Sequence, residues 1–556
     1  MPGLTDALRR LPEEELVLSL RTKLVPLVAL PGLKLFAACG PKALAMARND
    51  GLRVVASADA AGFISAARQA LGPRLLAEAT NGLSRRSPML TARRRFHPQQ
   101  LVMAAGAAAV TALAALVLPG AIVWTIASLV SGLFFLSVIA LRLLCLMPPP
   151  TRPAPHPPPL SDAELPVYSV LVPLFRETSV LRQLLRALVC LDYPAEKLDI
   201  KLILEETDIL MQRAVAGLTL PPHFDVIVVP AGTPQTKPRA LNYALQFAHG
   251  TLLTIFDAED VPEPRQLRLA ADAFAVQAPD VACLQARLAF YNPNENWLTR
   301  QFTIEYAILF DLILPALAAH RLPLPLGGTS NHFRTGALRQ AGAWDAYNVT
   351  EDADLGIRLA RLGFETGTIA SRTFEEANTR LPNWMRQRAR WMKGFLITWL
   401  VHMREPLRLL QEVGPAAFCA IQAVTLGVFA SALLHPLCLV ATIMLMAYQP
   451  VLPAKAGLAV IALAGLNLLI FVAGYAVTMI AGRRGLGRLG IAGWFVPIAT
   501  MPLYWLLMSA AAWLALWQFA TAPFHWNKTE HGLSIFQRRP PQTGVYRGHP
   551  VRHRPR

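Results

Sequence analysis

Long apolar stretches near both ends of the chain enclose a middle region in which polar and apolar residues alternate. The first stretch, residues 101–147, contains one charged residue, Arg142. A membrane-crossing helix needs about 20 apolar residues, so this stretch is long enough for two helices with a turn at Pro119-Gly120. Arginines 93–95 precede it, and basic residues favour the cytoplasmic side of a membrane. The pattern therefore predicts a helical hairpin with both ends in the cytoplasm.

The apolar pattern returns in the second half of the chain, at residues 416–448, 458–480 and 489–520. We expect residues 416–448 to be broken at His435-Pro436, as one crossing and an in-plane piece. Residues 489–520 are long enough for a tight hairpin, with Pro497 and Pro502 at its breaks. Together with the first hairpin, this predicts about six membrane crossings.

The middle region, residues 165–395, has the charge content and the element pattern of a water-exposed domain. Apolar runs that predict strands lie at residues 167–173, 200–204, 225–229 and 252–256, and helix-like segments lie at residues 180–190, 239–248 and 353–362. Strands that alternate with helices are typical of a doubly wound parallel sheet. Ligands bind such sheets beyond the carboxyl ends of the strands, so acidic residues at those ends are candidate functional residues.

Two segments outside these regions say less about function. Residues 1–98 lack a signal peptide and predict a small α/β or helical domain, with a helix at 60–71 and a strand at 52–56. A regulatory role and a packing role are both open for it. The segment 148–159 is rich in proline and predicts a stiff, extended linker.

Composition and charge narrow the class of protein. Of the 556 residues, 54% are hydrophobic and 16% are charged, whereas a soluble domain carries about 25% charged residues. The formal net charge of +17 fits anionic lipid headgroups and cytoplasmic loops better than nucleic acid, and it would also help to hold an anionic substrate. The six cysteines are scattered without a CxxC pair, which favours neither a disulfide framework nor a zinc site.

Three short motifs follow one another in the middle region. Asp257-Ala258-Glu259-Asp260 follows an apolar strand, and carboxylates two residues apart can hold a divalent cation on a diphosphate. Thr350-Glu351-Asp352 begins a helix, and Gln387-Arg388-Ala389-Arg390-Trp391 is basic and aromatic. Taken singly, the three motifs are better explained as an acidic turn, a helix N-cap and a membrane-surface helix.

In this order, and beside membrane helices, the three motifs resemble those of membrane-embedded family 2 glycosyltransferases of the cellulose synthase-like and hyaluronan synthase-like type. The resemblance covers roughly residues 167–393. It implies a polytopic α-helical membrane protein with a GT-A-type doubly wound α/β domain inserted between transmembrane helices. The implied domain order is a small cytosolic domain (1–98), a transmembrane hairpin (99–147), a proline-rich linker (148–164), the GT-A-like domain (165–395), interfacial helices (396–415), a C-terminal transmembrane region (416–521) and a basic cytosolic tail (522–556).

The resemblance also implies a donor site. Phe175 would stack on the donor base and Glu177 would support the site. Glu205 and Glu206 stand where the family usually has two aspartates that bind the base and the ribose. Lys237 would lie near the donor, although a surface charge explains it as well.

The catalytic assignments come from the same resemblance. Asp257 and Glu259 would bind Mg²⁺ or Mn²⁺ on the donor diphosphate, with Asp260 left open as an alternative to Glu259. Asp352 would be the general base that takes the proton of the acceptor hydroxyl. Such base catalysis contributes about 10²–10⁴-fold.

The acceptor end would be formed by the third motif, with Gln387, Arg390 and Trp391 as acceptor-binding residues and the tryptophan offering an apolar face to a sugar ring. The glycine-rich segment 327–332 fits the lining of an acceptor cleft and a structural turn equally well. The polar and aromatic segment 524–532 fits a gating loop and an interfacial anchor equally well.

The predicted function is that of an inverting glycosyltransferase of a bacterial inner membrane, multi-pass, with its catalytic domain in the cytosol. It would transfer a sugar from a nucleotide-sugar, a UDP-sugar in our interpretation, to a growing β-linked polysaccharide and export the product through its own channel. The expected partners are the donor, a polysaccharide or lipid-linked acceptor, the bilayer and export proteins, without nucleic acid. The alternatives are a non-processive transferase that acts on a lipid-linked acceptor and a non-catalytic membrane scaffold or receptor.

Overall fold

The computed structural model describes residues 2–30, 33–147, 159–447, 458–522 and 532–535. Most of the proline-rich linker lies outside these residues. The predicted gating or anchoring segment 524–532 does so as well, except for Gly532.

The amino-terminal region forms a three-stranded sheet covered by helices. Strand β2 lies in the centre, antiparallel to β1 and parallel to β3. The helix predicted at 60–71 is longer than expected, because it continues through Pro73 to Arg86. Its first turn is capped by Asp59, which accepts a hydrogen bond from the Gly62 amide. The elements are α1 (Pro2–Arg10), α2 (Glu13–Thr22), β1 (Leu24–Leu30), β2 (Leu33–Cys39), α3 (Pro41–Asn49), β3 (Arg53–Ala58) and α4 (Ala60–Arg86).

Two apolar helices follow as predicted, with a break at Pro119: α5 (Pro98–Val117) and α6 (Gly120–Leu146). The middle region then contains an α/β domain, which confirms the predicted fold class. Its elements are β4 (Tyr168–Leu174), α7 (Leu181–Val189), β5 (Leu198–Glu205), α8 (Ile209–Ala216), β6 (Phe224–Val229), α9 (Lys237–Leu245), β7 (Leu252–Ile255), β8 (Val261–Pro262), α10 (Gln266–Val276), β9 (Val281–Phe290), α11 (Trp297–Ile308), α12 (Leu314–Ala319), β10 (Asn331–Arg334), α13 (Thr335–Gln340), α14 (Glu351–Arg361) and β11 (Glu365–Glu375).

The sheet of this domain has eight strands in the order β6-β5-β4-β7-β10-β9-β11-β8. It is mainly parallel, as predicted, but it also contains two antiparallel strands that were not predicted. Strand β10 runs antiparallel to both of its neighbours, and the short β8 runs antiparallel to β11. The other six strands run in one direction, so their carboxyl ends meet at one edge of the sheet.

Both faces of the sheet are buried, which explains the nearly continuous apolar runs of its strands. In β4, Val170 and Val172 pack into one hydrophobic cluster and Leu171 packs into another on the opposite face. Helix α4 of the amino-terminal region contributes Leu71 and Leu75 to the second cluster. The amino-terminal region is therefore packed onto the α/β domain.

The carboxyl-terminal half consists mainly of long helices. They are α15 (Leu381–His402), α16 (Pro406–Gln422), α17 (Val428–Ala447), α18 (Leu458–Arg488), α19 (Phe495–Ala499) and α20 (Met501–Thr521). In the described part of the chain, six helical segments are long and apolar enough to cross a membrane: residues 98–117, 125–146, 297–319, 406–440, 462–488 and 501–521. The number agrees with the predicted six crossings, but the segment 297–319 within the α/β domain was not predicted.

The hairpin predicted for residues 489–520 is wrong, because this stretch contains one long helix. Pro502 lies in the first turn of α20, where its missing amide hydrogen costs no intrahelical bond. Gly490 and Gly493 have positive φ angles and form the loop before it. The prolines therefore mark the start of a helix rather than a break within a crossing.

The break predicted at His435-Pro436 is also wrong, since α17 continues through Pro436. The chain bends earlier, at Gly414, which has a φ of 78° just before Pro415. A π-helical turn, Ala423–Gly427, then joins α16 to α17. Proline is tolerated inside membrane helices when neighbouring helices compensate for the lost bond.

Candidate active site

The carboxyl ends of the parallel strands place the predicted donor residues side by side. Phe175 and Glu177 follow β4, Glu205 ends β5, and Asp257 and Glu259 follow β7. All five line one cavity of about 950 Å³. Neighbouring parallel strands end at the same edge of a sheet, so short segments far apart in sequence meet there.

The same cavity is lined by the other predicted catalytic and acceptor residues. Lys237 and Asp352 face it from the first turns of α9 and α14. Gln387, Arg390 and Trp391 face it from α15. Ten of the eleven predicted site residues thus share one cavity, and the exception is Glu206.

The Lys237 ammonium is bound to the first carboxylate of the DxE motif. Its Nζ lies 2.5 Å from Asp257 Oδ1 and donates a hydrogen bond of 2.7 Å to the Gly328 carbonyl. Burial alone would lower the pKa of Lys237, but the charges of Asp257 and Glu351 outweigh it, so that the pKa is raised. Lys237 is therefore a fixed positive charge within the site.

The two residues after Asp257 that could serve as the second metal ligand point to different places. Glu259 lines the cavity, whereas Asp260 does not. Asp260 is fully buried and accepts hydrogen bonds from the Asp257 amide and the Thr329 hydroxyl. Burial and the neighbouring carboxylates raise its pKa well above the usual range. The geometry favours Glu259 over Asp260 as the group that meets a ligand.

Asp352 lies in the first turn of α14, against the glycine-rich segment. A Cβ atom added to Gly328 would lie 3.3 Å from Asp352 Oδ2 and 3.8 Å from Lys237 Nζ. Burial raises the pKa of Asp352, offset in part by the Ala353 amide and by Lys237. Burial and the charge of Asp352 raise the pKa of Glu351 to about 7. A carboxylate with a raised pKa is a better proton acceptor, as a general base requires.

The two glutamates predicted to bind the donor base have different surroundings. Glu205 accepts a hydrogen bond of 2.7 Å from the buried Arg239 and lines the cavity. Glu206 forms an ion pair with Arg68 of helix α4 and accepts a bond of 2.8 Å from the Ala231 amide. Glu206 therefore connects the amino-terminal region to the domain instead of lining the cavity.

Helix α15 presents the third motif along one wall. Gln387 accepts a hydrogen bond of 2.8 Å from Asn378. The Trp391 ring is stacked on Tyr306 at an interplanar angle of 27° with 6.4 Å between the ring centroids. The tryptophan therefore reaches the cavity as part of an aromatic cluster that also includes Phe302.

Sequence reasoning missed several residues of this wall. Arg388, inside the motif but without an assigned role, forms a two-pronged ion pair with Glu305 of α11 at 2.6 Å per contact. Tyr504 of α20 donates a bond of 2.6 Å to the same carboxylate. Glu305 and Tyr504 lie far from the motifs in sequence, within apolar helices, and had no local signal.

The cavity continues between the membrane helices. It is lined by residues 127–142 of α6, 428–442 of α17 and 464–478 of α18. At a rise of 1.5 Å per residue, these stretches extend for about 20 Å, most of a hydrocarbon core of about 30 Å. Polar side chains on this part of the wall are Ser128, Ser131, Arg142, Ser431, His435, Thr442, Asn467, Tyr475 and Thr478.

The residues at the strand ends suit a hard divalent cation. Carboxylate oxygens are preferred ligands of Mg²⁺ and Mn²⁺, which commonly use one or two protein carboxylates and leave other positions to substrate phosphates and water. Asp257 and Glu259 are two such carboxylates on the cavity wall. Among the described residues there is no cluster of three or more side chains that would hold a metal without a substrate.

The fold and the site define the class of this protein. It is a membrane-associated protein whose mixed α/β domain carries carboxylates at its strand ends. Comparison with known proteins defines the class further. Residues 252–525 match the family model described as Glycosyl transferase family group 2. This part of the chain is therefore similar to the family 2 glycosyltransferases, and the predicted resemblance is confirmed.

Individual relatives share about a quarter of their residues with this chain over the matched regions. Probable glycosyltransferase YdaM of Bacillus subtilis is 27% identical over 235 residues, 42% of this chain and 56% of the relative. Glucomannan 4-beta-mannosyltransferase 2 of Arabidopsis thaliana is 27% identical over 216 residues, 37% of this chain and 40% of the relative. Beta-monoglucosyldiacylglycerol synthase of Synechocystis is 26% identical over 298 residues, 52% of this chain and 60% of the relative. The chain thus spans 40–60% of the length of these three relatives.

Proposed function

We propose that the protein is an inverting glycosyltransferase that transfers a sugar from a nucleotide-sugar, in our interpretation a UDP-sugar, to a growing β-linked polysaccharide. The observation that carries the proposal is the single cavity shared by Asp257, Asp352 and Trp391. The family match and the names of the relatives support the reaction class.

In this proposal, the donor lies along the carboxyl ends of the strands. Phe175 stacks on the base, Glu177 and Glu205 border the base and the ribose, and Glu206 supports them from outside the cavity. A divalent cation held by Asp257 and Glu259 would offset the charge of the leaving diphosphate. Lys237 adds a fixed positive charge next to Asp257.

Asp352 acts as the general base. It takes the proton of the acceptor hydroxyl as that oxygen attacks the anomeric carbon, and the bond from this carbon to the diphosphate breaks. Displacement from the opposite face inverts the configuration, so an α-linked donor gives a β-linked product. The raised pKa of Asp352 supports this role.

The acceptor would lie on Trp391, with Gln387 and Arg390 beside it. The growing chain would enter the part of the cavity between α6, α17 and α18, which offers polar side chains over about 20 Å. This supports export through the protein's own membrane channel. Arg488 near the end of α18 donates to the Asp311 carbonyl, and basic residues favour the cytoplasmic side, which supports a cytosolic catalytic domain in an inner membrane.

A second candidate is transfer to a lipid-linked acceptor. Arg142 lines the cavity between the membrane helices and donates a hydrogen bond of 2.6 Å to the Thr478 hydroxyl. Helices α6, α17 and α18 contain no aspartate or glutamate. A cation among apolar helices is costly and therefore points to a function, and the phosphate of a lipid would match its charge.

A donor and acceptor panel tests both candidates. The purified protein in nanodiscs receives radiolabelled UDP-glucose, UDP-N-acetylglucosamine or GDP-mannose with Mg²⁺ or Mn²⁺. High-molecular-weight product supports the polysaccharide proposal, and a chloroform-soluble product with one sugar supports the lipid candidate. If no donor is turned over while nucleotide still binds, the alternative of a non-catalytic scaffold or receptor is favoured.

A further inference from the structure

The side chain of Arg388 is enclosed between two aromatic rings at the acceptor end of the cavity. Its guanidinium carbon lies 4.3 Å from the centroid of the Phe302 ring and 4.5 Å from that of Trp391. Arg388 and Trp391 are three residues apart on α15, so they lie on the same face of this helix. A guanidinium over an indole ring is attracted by the negative face of the ring.

The guanidinium is held in place by other parts of the chain. Its two terminal nitrogens bind the two carboxylate oxygens of Glu305 at 2.6 Å each. Tyr504 donates a hydrogen bond of 2.6 Å to Glu305 Oε2. The Arg388 side chain is only 3% exposed. With both terminal nitrogens engaged, it is poorly placed to bind a substrate directly.

Helix α11 supports the tryptophan twice. Glu305 holds Arg388 against one side of the cluster, and the next residue, Tyr306, is stacked on the Trp391 ring. The conformation of Trp391 is therefore fixed by two consecutive residues of a helix that lies outside all three motifs. Two-pronged ion pairs between arginine and carboxylate fix orientation as well as distance.

We propose that Arg388 is a positioning residue that holds the Trp391 ring in the orientation in which it receives the acceptor sugar, and that Glu305 and Tyr504 hold Arg388. The proposal rests on the proposed function, because it takes Trp391 as the acceptor platform. It predicts that loss of the contact weakens acceptor binding and leaves donor binding unchanged.

The test separates two contributions of Arg388: its ion pair with Glu305 and its cation over the Trp391 ring. The exchanged variant Glu305→Arg with Arg388→Glu keeps opposite charges at the two positions but removes the cation from the Trp391 ring. The single variants Arg388→Gln and Tyr504→Phe are made beside it. Arg361→Gln serves as a matched control, because its ion pair with Glu412 at 2.6 Å joins α14 and α16 at positions outside the cavity lining.

Binding of cellohexaose and mannohexaose is measured by calorimetry, and acceptor KM, kcat and donor KM are measured where turnover is detected. We expect the exchanged variant to recover most of the melting temperature lost in Arg388→Gln. Its oligosaccharide binding should remain weaker by about two- to thirtyfold, the range of a cation–π contact, with unchanged donor KM. Arg361→Gln should bind as the wild type does.

A purely structural role of the ion pair predicts instead that the exchange restores oligosaccharide binding together with the melting temperature, and this would overturn the proposal. Absence of oligosaccharide binding by the wild type would also overturn it. If the wild type binds oligosaccharide and the exchange weakens this binding, but no donor is turned over, the proposed function fails and the positioning role stands.

Discussion

The amino-terminal ends of the parallel strands form one edge of the main sheet, and their carboxyl-terminal ends form the other. The two edges differ in the balance of negative and positive side chains. At the amino-terminal edge, Lys201 is fully buried between Asp199 at 2.6 Å and Asp225 at 2.5 Å. Lys23 from the amino-terminal region binds Asp225 at 2.7 Å. At the carboxyl-terminal edge, the cavity and its continuation between the membrane helices are lined by eight carboxylates and four cationic side chains: Glu177, Glu205, Asp257, Glu259, Glu305, Glu351, Asp352 and Glu375, with Arg142, Lys237, Arg388 and Arg390.

The pKa values differ accordingly. Burial alone would raise the pKa values of Asp199 and Asp225, but the charge of Lys201 outweighs it, so both are lowered. Burial raises the pKa values of Asp352 and Glu351, and the charge of Lys237 offsets this rise only in part. The balanced edge stabilises the fold, whereas the lining at the other edge carries more carboxylates than cationic side chains. Charge imbalance, rather than charge itself, marks the candidate site.

The largest effect is expected from removing the proposed base. Asp352→Asn should lower kcat by about 10²–10⁴-fold, because the acceptor hydroxyl loses its proton acceptor, while donor binding stays near that of the wild type and the melting temperature does not fall. Initial rates and calorimetric donor binding check this. Asp345→Asn is the control, since Asp345 is buried in the same domain and bound to Thr91, outside the cavity lining. Wild-type turnover by Asp352→Asn would remove the base assignment.

At the balanced edge, Lys201→Met should destabilise the protein by about 3–5 kcal/mol, because two buried carboxylates lose a shared partner. The folded fraction should keep its donor KM and kcat. Thermal unfolding in detergent and kinetics below the transition measure the two effects. A Lys201→Met variant that is as stable as the wild type but has altered kinetics would contradict the assignment of stability to this edge and of the candidate site to the other.

The DxE motif provides a comparison between neighbouring carboxylates. Glu259→Gln should raise the Mn²⁺ concentration needed for half-maximal activity by at least about 10–100-fold, because loss of an outer-shell partner of a metal ligand already costs this much. Asp260→Asn should change it little, because Asp260 is directed away from the cavity. Metal titrations of both variants decide between them, and the reverse outcome would make Asp260 the ligand.

The two edges should also differ in how pH affects them, through kcat at one edge and through stability at both. Because the pKa of Asp352 is raised, kcat should fall as pH decreases through a value above that of an ordinary aspartate, near 3.9. Ionised Asp352 opposes folding, so its contribution to stability is favourable at low pH and is lost as pH rises. Asp225, with a lowered pKa, stabilises the protein above pH about 4 and loses this contribution on acidification. A pH profile of kcat without an acidic limb would contradict this.

The smallest effect is expected at Glu206. Its ion pair with Arg68 is more than one third exposed on both sides, and exposed pairs contribute about 0–1 kcal/mol. Arg68→Gln should therefore change stability by no more than about this amount and leave donor KM within twofold. Thermal unfolding and donor kinetics check it. A large rise in donor KM would instead show that the amino-terminal region controls the donor site.

Local sequence signals predicted much of this architecture. The strands that lead to Phe175, Glu205 and Asp257 were recognisable because each is an apolar run; the first ends in proline, and the other two end in acidic residues. The antiparallel β10 was not predicted, since strand direction depends on pairing between segments distant in sequence. Prolines in the last apolar stretch were misinterpreted, because a proline has the same sequence signal at a helix start as at a break.

The candidate site was predictable where a motif carries it and not where packing does. Asp352 and Trp391 were found through short motifs, and both line the cavity. Glu305 and Tyr504 lie in apolar helices and meet Arg388 only through the tertiary fold. Whether Glu259 or Asp260 faces the cavity depends on the turn after β7, which the spacing of the acids does not determine.

The most direct test of the account is a cryo-electron microscopy map of the protein in nanodiscs with Mn²⁺ and a non-transferable phosphonate analogue of the accepted nucleotide-sugar. The account predicts the cation between the diphosphate and the carboxylates of Asp257 and Glu259. It also predicts the anomeric carbon facing Asp352, with open space from there to Trp391. A donor bound at another edge of the sheet, or a cation held without Asp257, would contradict it.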